Sequence, residues 1–261
     1  MRALVVALAL LLLATLCAAQ ARKSEEAFLF PVRQNDLWGY IDRTGKLIIK
    51  PQFDVAWDFT EGLAYVKAGA RRGIIDHKGK WVFELTDVDF AGPYAEGLAP
   101  VQTVARPIRY GFVDRAGHVV IRAQFDAVRG FSEGLAVALV GRQYGFIDKR
   151  GQWVIQPRFD KVSSFSEGLA LVVVNNRHGF INRTGQTVVA PRFDWASGFA
   201  EGLALVKISG KYGYVDQTGR VTVAAQYDNA HDFEHGLAKV YTAGQLGYID
   251  KTGRYVWPPT K

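Results

Sequence analysis

The sequence predicts an all-β fold: a tandem array of seven units of about 34 residues, each a three-stranded antiparallel meander, because three phrases recur along it at fixed offsets. The first is a GYID-like tetrapeptide whose glycine falls at Gly39, Gly73, Gly111, Gly145, Gly179, Gly213 and Gly247, every 34 residues except for one step of 38. The second is EGLA, at Glu61 to Ala64, Glu96 to Ala99, Glu133 to Ala136, Glu167 to Ala170 and Glu201 to Ala204, with HGLA at His235 to Ala238. The third is Asp-x-x-Gly, starting at Asp42, Asp76, Asp114, Asp148, Asp216 and Asp250, with Asn182 in the remaining copy.

Each unit reads as three short apolar segments, β-branched or aromatic, bounded by turn residues, which is the pattern of strands joined by hairpins. The first follows EG, as in Leu169 to Val174; the second is the GYID phrase, as in Gly213 to Asp216; the third follows the next glycine, as in Thr187 to Val189. Between the second and third, an Asp or Asn side chain can cap its own turn while the glycine supplies positive φ. The third strand is apolar on consecutive residues, Leu47-Ile48-Ile49 or Val119-Val120-Ile121, so both of its faces are expected to be covered. A linking phrase follows, Pro-x-Phe-Asp-x-Ala-x-x-Phe, at Pro51 to Phe59, Pro157 to Phe165 and Pro191 to Phe199, and without proline at Ala123 to Phe131 and Ala225 to Phe233. Its proline ends the strand, and its two aromatics are expected to plug the gap between neighbouring units. Seven units of three strands make about 21, more than an open twisted sheet carries without splitting. An open, twisted, solenoid-like array is expected, with closure into a seven-unit propeller-like ring as the alternative. One copy is irregular: Glu84 to Tyr94 lacks Pro-x-Phe-Asp, and Leu98 to Gly111 carries extra residues, Arg106-Pro107 among them. This is either drift in a surface loop or a loop that marks a binding face.

Residues 1–21 differ in kind: Arg2, an uncharged run from Ala3 to Leu16, then small residues, the pattern of a signal peptide cleaved after Ala19 or Ala21. A short segment, 22–28, and a single repeat domain, 29–261, would follow. Cys17 offers lipid anchoring as an alternative, but Leu16 before it argues against that. With conventional cleavage the mature chain has no cysteine, which excludes disulfides and thiolate chemistry. No transmembrane span is expected in the mature chain, since the apolar run is shorter than the roughly 20 residues a helix needs. Loss of Arg2 takes the formal charge from +7 to +6. A basic exported protein can meet anionic polymers of the envelope.

The phrases G-[YF]-[IV]-D-x-x-G and F-D-x-A-x-x-F-x-E-G-L-A resemble those of the WG-repeat (KWG-repeat) family of bacterial proteins, from Leu29 to the C-terminus. The namesake dipeptide survives only as Trp38-Gly39; elsewhere Arg72, Tyr110, Tyr144, His178, Tyr212 or Leu246 precedes the glycine. The resemblance implies an all-β repeat scaffold, commonly exported or envelope-associated, and brings no catalytic residues.

No metalloprotease, phosphate-loop, nucleophile-elbow or dinucleotide motif is present, so no catalytic or metal site and no cofactor are expected. His231 and His235, with Asp232 and Glu234 between, could hold a metal, but a solvated turn accounts for them better. The repeated glutamates, and Asp54, Asp126, Asp160, Asp194 and Asp228 of the linking phrase, occupy equivalent positions and read as turn residues. Basic residues gather at two hairpin ends. Arg71, Arg72, Arg109, Arg142, Arg177 and Lys211 precede the GYID phrase; Arg43, Lys78, Arg115, Lys149, Arg183 and Lys251 follow its Asp. The first set, with Arg106, is the candidate binding surface; a solvated edge that discourages aggregation is the other reading. Trp81 and Trp153 could stack on sugars but read as core. The expected function is a non-enzymatic secreted or periplasmic scaffold for a protein or an anionic envelope polymer, not nucleic acid. A glycan-binding, lectin-like module is the second reading, and a propeller-type enzyme with a central site the alternative from another class.

Overall fold

The computed structural model describes residues 28–104 and 106–259; the expected signal segment lies outside them. Among the described residues there are 27 strands and no helix, arranged in one three-stranded and six four-stranded sheets. The chain divides into two compact units, one taking in residues up to Val104 with Val113–Val119, the other Ala105–Phe112 with Val120 onward.

The fifth sheet shows how the repeat folds. Its strands, Lys161–Val162, Leu169–Val174, Arg177–Asn182 and Thr187–Phe193, lie side by side in chain order. The last three are the expected meander, and the linking phrase adds the short first strand. Leu169–Val174 and Arg177–Asn182 close on Asn175-Asn176, both with positive φ, which is the twist a two-residue hairpin needs. Between the second and third strands of the meander, Asn182 Oδ1 accepts hydrogen bonds from the backbone of Thr184 and Gln186 at 3.1 and 3.0 Å. The Thr184 hydroxyl donates to the same oxygen at 2.7 Å, and Asp216 and Asp250 cap their turns in the same way, with the hydroxyls of Thr218 and Thr252 at 2.6 Å.

The register glycine has a packing cause. The last strand of the sheet bulges opposite Gly179, and a β-carbon there would lie 2.6 Å from both the Val189 carbonyl oxygen and the Pro191 nitrogen. Only a residue without a side chain lets the two strands approach this closely.

The face prediction needs correction. Ile48, Val82, Val120, Val154 and Val188 on the last strands are 40–44% exposed. Along four of these strands the next residue, Ile49, Ile121, Ile155 or Val189, is buried, so one face of the strand packs on the core and the other meets solvent. The β-branched residues suit the strand backbone even where they are half wetted.

In the unit that starts again at Val120, successive sheets bury aromatic layers. Phe165 packs with Leu135, Val137, Phe146, Ile155, Phe159 and Ile181, its ring centroid 4.8 Å from that of Phe146. Phe193 and Phe199, then Tyr227 and Phe233, repeat the layer. These are the expected plugs. In the first unit Tyr94 replaces the second aromatic of the irregular copy: it is buried with Leu63, Ile74 and Val113, and its hydroxyl donates to the Asp114 carbonyl at 3.0 Å.

The EG turns explain the repeated glutamates. Glu133, Glu167 and Glu201 have φ near +50°, a region that costs an L-residue about 1–2 kcal/mol. Each carboxylate accepts a hydrogen bond from the glycine N–H of the next EG or HG turn, Gly168, Gly202 and Gly236, at 2.9–3.0 Å. Glu61 does the same for Gly97 in the first unit. The carboxylates therefore act as ties between consecutive sheets.

These ties and caps set an acid limit. Hydrogen bonds from Thr44, Thr218 and Thr252 hold the carboxyls of Asp42, Asp216 and Asp250 below the ordinary range; Lys211 does so for Asp228 and Lys251 for Glu201. A carboxyl lowered on folding binds fewer protons in the native state, so its stabilisation is complete above its unfolded value and is lost as pH falls through the folded one. The melting temperature is expected to hold above about pH 4 and to drop steeply below it. In Asp216→Asn, which copies the natural Asn182 turn, the drop should be shallower; an unchanged acid profile would remove the cap from the account.

Candidate functional site

The sequence-predicted cations lie at hairpin ends, and the carboxylates of the scaffold engage four of the seven. Arg109, Arg177 and Lys211 pair with Asp126, Asp194 and Asp228, each 17 residues further along. Arg71 pairs with Glu84 at 2.9 Å and lies 3.9 Å over the Trp81 ring. Each Asp uses its second oxygen to cap a backbone N–H of the neighbouring hairpin, as Asp194 does for Ser209 at 2.8 Å and Asp126 for Gly141 at 2.6 Å. Arg72 is half-buried, Arg142 is exposed and carries no ion pair among the described residues, and Arg106 is exposed before Pro107, which it joins through a cis peptide. In the second set, Lys251 meets Glu201 at 3.0 Å and Arg115 meets Glu61 at 3.5 Å. Trp81 and Trp153 are half-buried, edge-on to Phe53 and Phe125. Among the described residues no three His, Asp or Glu side chains gather where they could hold a metal, and no helix is long and apolar enough to cross a membrane.

The structure brings together a different set. A groove of about 300 Å³ is lined by Arg129, Tyr144, Lys161, Val162, Leu171, Val173, His178, Trp195 and Ala196. Three repeat positions supply its polar and aromatic walls. Tyr144 and His178 precede successive register glycines; Lys161 and Trp195 follow the Asp of successive linking phrases; Arg129 stands where other copies have Trp57, Ser163, Ser197 or His231. These positions change from copy to copy, whereas the turn positions hardly do.

Local structure fixes each wall. Trp195 opens a six-residue strand, Trp195–Ala200, where most sheets have two residues, and pairs with Lys207. Its indole is 40% exposed, 6.4 Å from the His178 ring and 6.1 Å from Tyr212. The Ala196 N–H donates to His178 Nδ1 at 3.0 Å, which leaves the ring proton on Nε2. Desolvation lowers the His178 pKa, and the nearby Lys161 ammonium lowers it further against the opposing effect of the Ala196 bond; the net lowering favours the neutral ring. Arg129 Nη1 donates to the Val162 carbonyl at 3.1 Å, which orients the guanidinium across the groove floor. Lys161 is exposed, and among the described residues its ammonium makes no ion pair or hydrogen bond.

The sequence reading did not single out Trp195, Lys161 or Arg129, because each sits inside a phrase whose fixed letters drew attention to the scaffold. The usable signal was the variable letter within Phe-Asp-x-Ala, which is Trp in one copy only.

Among solved structures the chain is similar to the crystal structure of a eukaryotic initiation factor, at 12% identity and a TM-score of 0.56, over 89% of this chain and 74% of that one. It is also similar to the dihydro-heme d1 dehydrogenase NirN in complex with DHE, at 14% identity and a TM-score of 0.50, over 89% and 64%. Hsv2p of Kluyveromyces lactis follows at 11% identity and 0.45, over 74% and 72%. At such identities the likeness of the first two shows the fold alone. No curated protein matches the sequence. The family model of the WG-containing repeat matches residues 38–70, 73–103, 110–142, 144–177, 179–212 and 212–244. With the register glycine, the capped turn and the linking phrase recurring through those spans, the chain belongs to the WG-containing repeat family.

Proposed function

We propose that this chain is a non-enzymatic, exported β-repeat scaffold that binds a protein or a component of the cell envelope, and that it does so in the groove built on Trp195. The observation that carries this reading is the convergence of the repeat's variable positions on one concave surface. Positions that build the scaffold recur because every unit needs them, so those that differ are where recognition is written. The repeated Asp and Glu side chains support a non-enzymatic role, since they are engaged by backbone N–H groups and basic side chains of the scaffold. The pattern of residues 1–21 supports export to a periplasmic or extracellular space.

The test is retention of envelope material. The purified, immobilised chain is expected to hold a component of an envelope fraction that Trp195→Ala/Lys161→Ala lets pass, with the two proteins melting alike. Equal retention by both would move the site away from the groove. No retention by the unaltered chain would count against an envelope partner altogether.

A further inference from the structure

The polar lining of the groove is one-sided. Lys161 offers three donors and no acceptor, Arg129 offers the guanidinium nitrogens that Val162 leaves free, and Trp195 offers its indole N–H. The Ala196 N–H occupies His178 Nδ1, so this ring too presents only a donor, Nε2–H. Among the described residues no Asp, Glu, Asn or Gln lines the groove, and Tyr144 carries a side-chain acceptor. The neighbouring carboxylates are turned to other duties: Asp160 caps Asn175 at 3.1 Å, and Asp194 serves Arg177 and Ser209. A neutral sugar has hydroxyls that both donate and accept, and a site for it needs acceptors as well as donors. A lining dominated by donors, with two cations, matches a ligand that is rich in acceptors and negatively charged.

The aromatic part narrows the class further. Trp195 is held in a strand with its ring bracketed by His178 and Tyr212, so it offers a flat, rigid face at low entropic cost. The negative face of an indole attracts the slightly positive C–H groups that line one side of a pyranose ring. A simple polyphosphate has no such face and would leave the indole unused. A sugar ring bearing a carboxylate uses both parts: its C–H face lies on Trp195, and its carboxylate takes charge-assisted hydrogen bonds from Lys161, Arg129 and His178 Nε2–H.

We infer that the Trp195 groove is a binding site for a carboxylate-bearing glycan, with Trp195 as the stacking platform and Lys161 and Arg129 as the carboxylate clamp. This rests on the reading of the groove as the binding surface, and the test separates the two. The probes are a uronic-acid oligosaccharide and the same oligosaccharide with its carboxyls reduced to alcohols, titrated calorimetrically at low and high salt. The Trp195 indole N–H resonance, identified by its loss in Trp195→Phe, is followed in parallel. The acidic sugar is expected to shift that resonance, to bind about tenfold more tightly than its reduced form, and to lose about tenfold in Lys161→Ala. Equal binding of both sugars at Trp195 would overturn the acidic class and leave the groove as the site. Failure of both sugars, while Trp195→Ala still abolishes retention of an envelope protein, would overturn the glycan and assign the groove to protein. Acidic-sugar binding that is unchanged in Trp195→Ala and in Lys161→Ala would overturn both readings.

Discussion

Gly179→Ala is expected to destabilise the chain by about 3 kcal/mol or more, the upper end of overpacking costs. The added carbon would meet backbone on two sides, the Val189 carbonyl and the Pro191 nitrogen at 2.6 Å each, and backbone in a paired strand cannot rotate out of the way as a side chain can. The comparison that isolates this cause is Gly168→Ala. Gly168 sits at φ +80° with nothing within 4 Å of a β-carbon, so its replacement carries only the left-handed cost of about 1–2 kcal/mol. Chemical denaturation of the two variants should rank Gly179→Ala well below Gly168→Ala. The reverse order would mean that turn conformation, not the close approach of strands, selects the glycine that defines the register.

Phe165→Ala should cost about 3–5 kcal/mol. Its ring belongs to the linking phrase yet packs against residues of two sheets, Phe146 and Ile155 on one side and Ala170, Val172 and Ile181 on the other. Removing it leaves a void that neither sheet can fill alone. Repeat proteins hold together largely through such neighbour interfaces, so the loss should also broaden the unfolding transition as the sheets on either side part. Trp195→Ala serves as the exposed counterpart and should melt within about 1 kcal/mol of the unaltered chain. If Phe165→Ala is as mild as Trp195→Ala, the linking-phrase aromatics are not what joins the sheets.

The parts of this structure governed by short-range chemistry were legible in the sequence. An Asp three residues before a glycine caps its own turn whatever surrounds it, and the observed bonds of Asp216 and Asn182 follow from that alone. The linking-phrase aromatics could be assigned to gaps between units because large apolar rings have few other places to go, but the proline beside them was misread: it does not end its strand, since Leu47–Phe53, Trp153–Phe159 and Thr187–Phe193 run through Pro51, Pro157 and Pro191. What depended on stacking was not legible. The recurrence of Glu133, Glu167 and Glu201 was plain, but their partners lie 35 residues away, and only the placement of one sheet against the next identifies them. The outer faces of the last strands were misread for a related reason. Consecutive apolar residues reflect β-propensity as well as burial, and only one face of these strands packs on the core, where Ile155 and Val189 lie while Val154 and Val188 face solvent. The groove was hidden because Lys161 and Trp195 are far apart in sequence and each replaces an unremarkable residue of the linking phrase.

Several ties between sheets run from an earlier side chain to the backbone of the next copy: Glu133 to Gly168, Ser132 to Phe165, Arg158 to Gly185, and their counterparts one copy later. Both ends of the Glu–Gly tie recur at Glu133, Glu167 and Glu201, so duplicating or excising a 34-residue stretch of the gene within 120–244 would present each partner glycine with a glutamate like the one it had before. Such an event keeps the Glu–Gly ties in register, and the Glu61–Gly97 tie, which spans 36 residues where the others span 35, shows that one added loop residue is absorbed as well. The scaffold can thus gain or shed whole copies by recombination at little cost in stability, and each gained copy arrives with its own set of variable positions, free to diverge into a new stretch of binding surface.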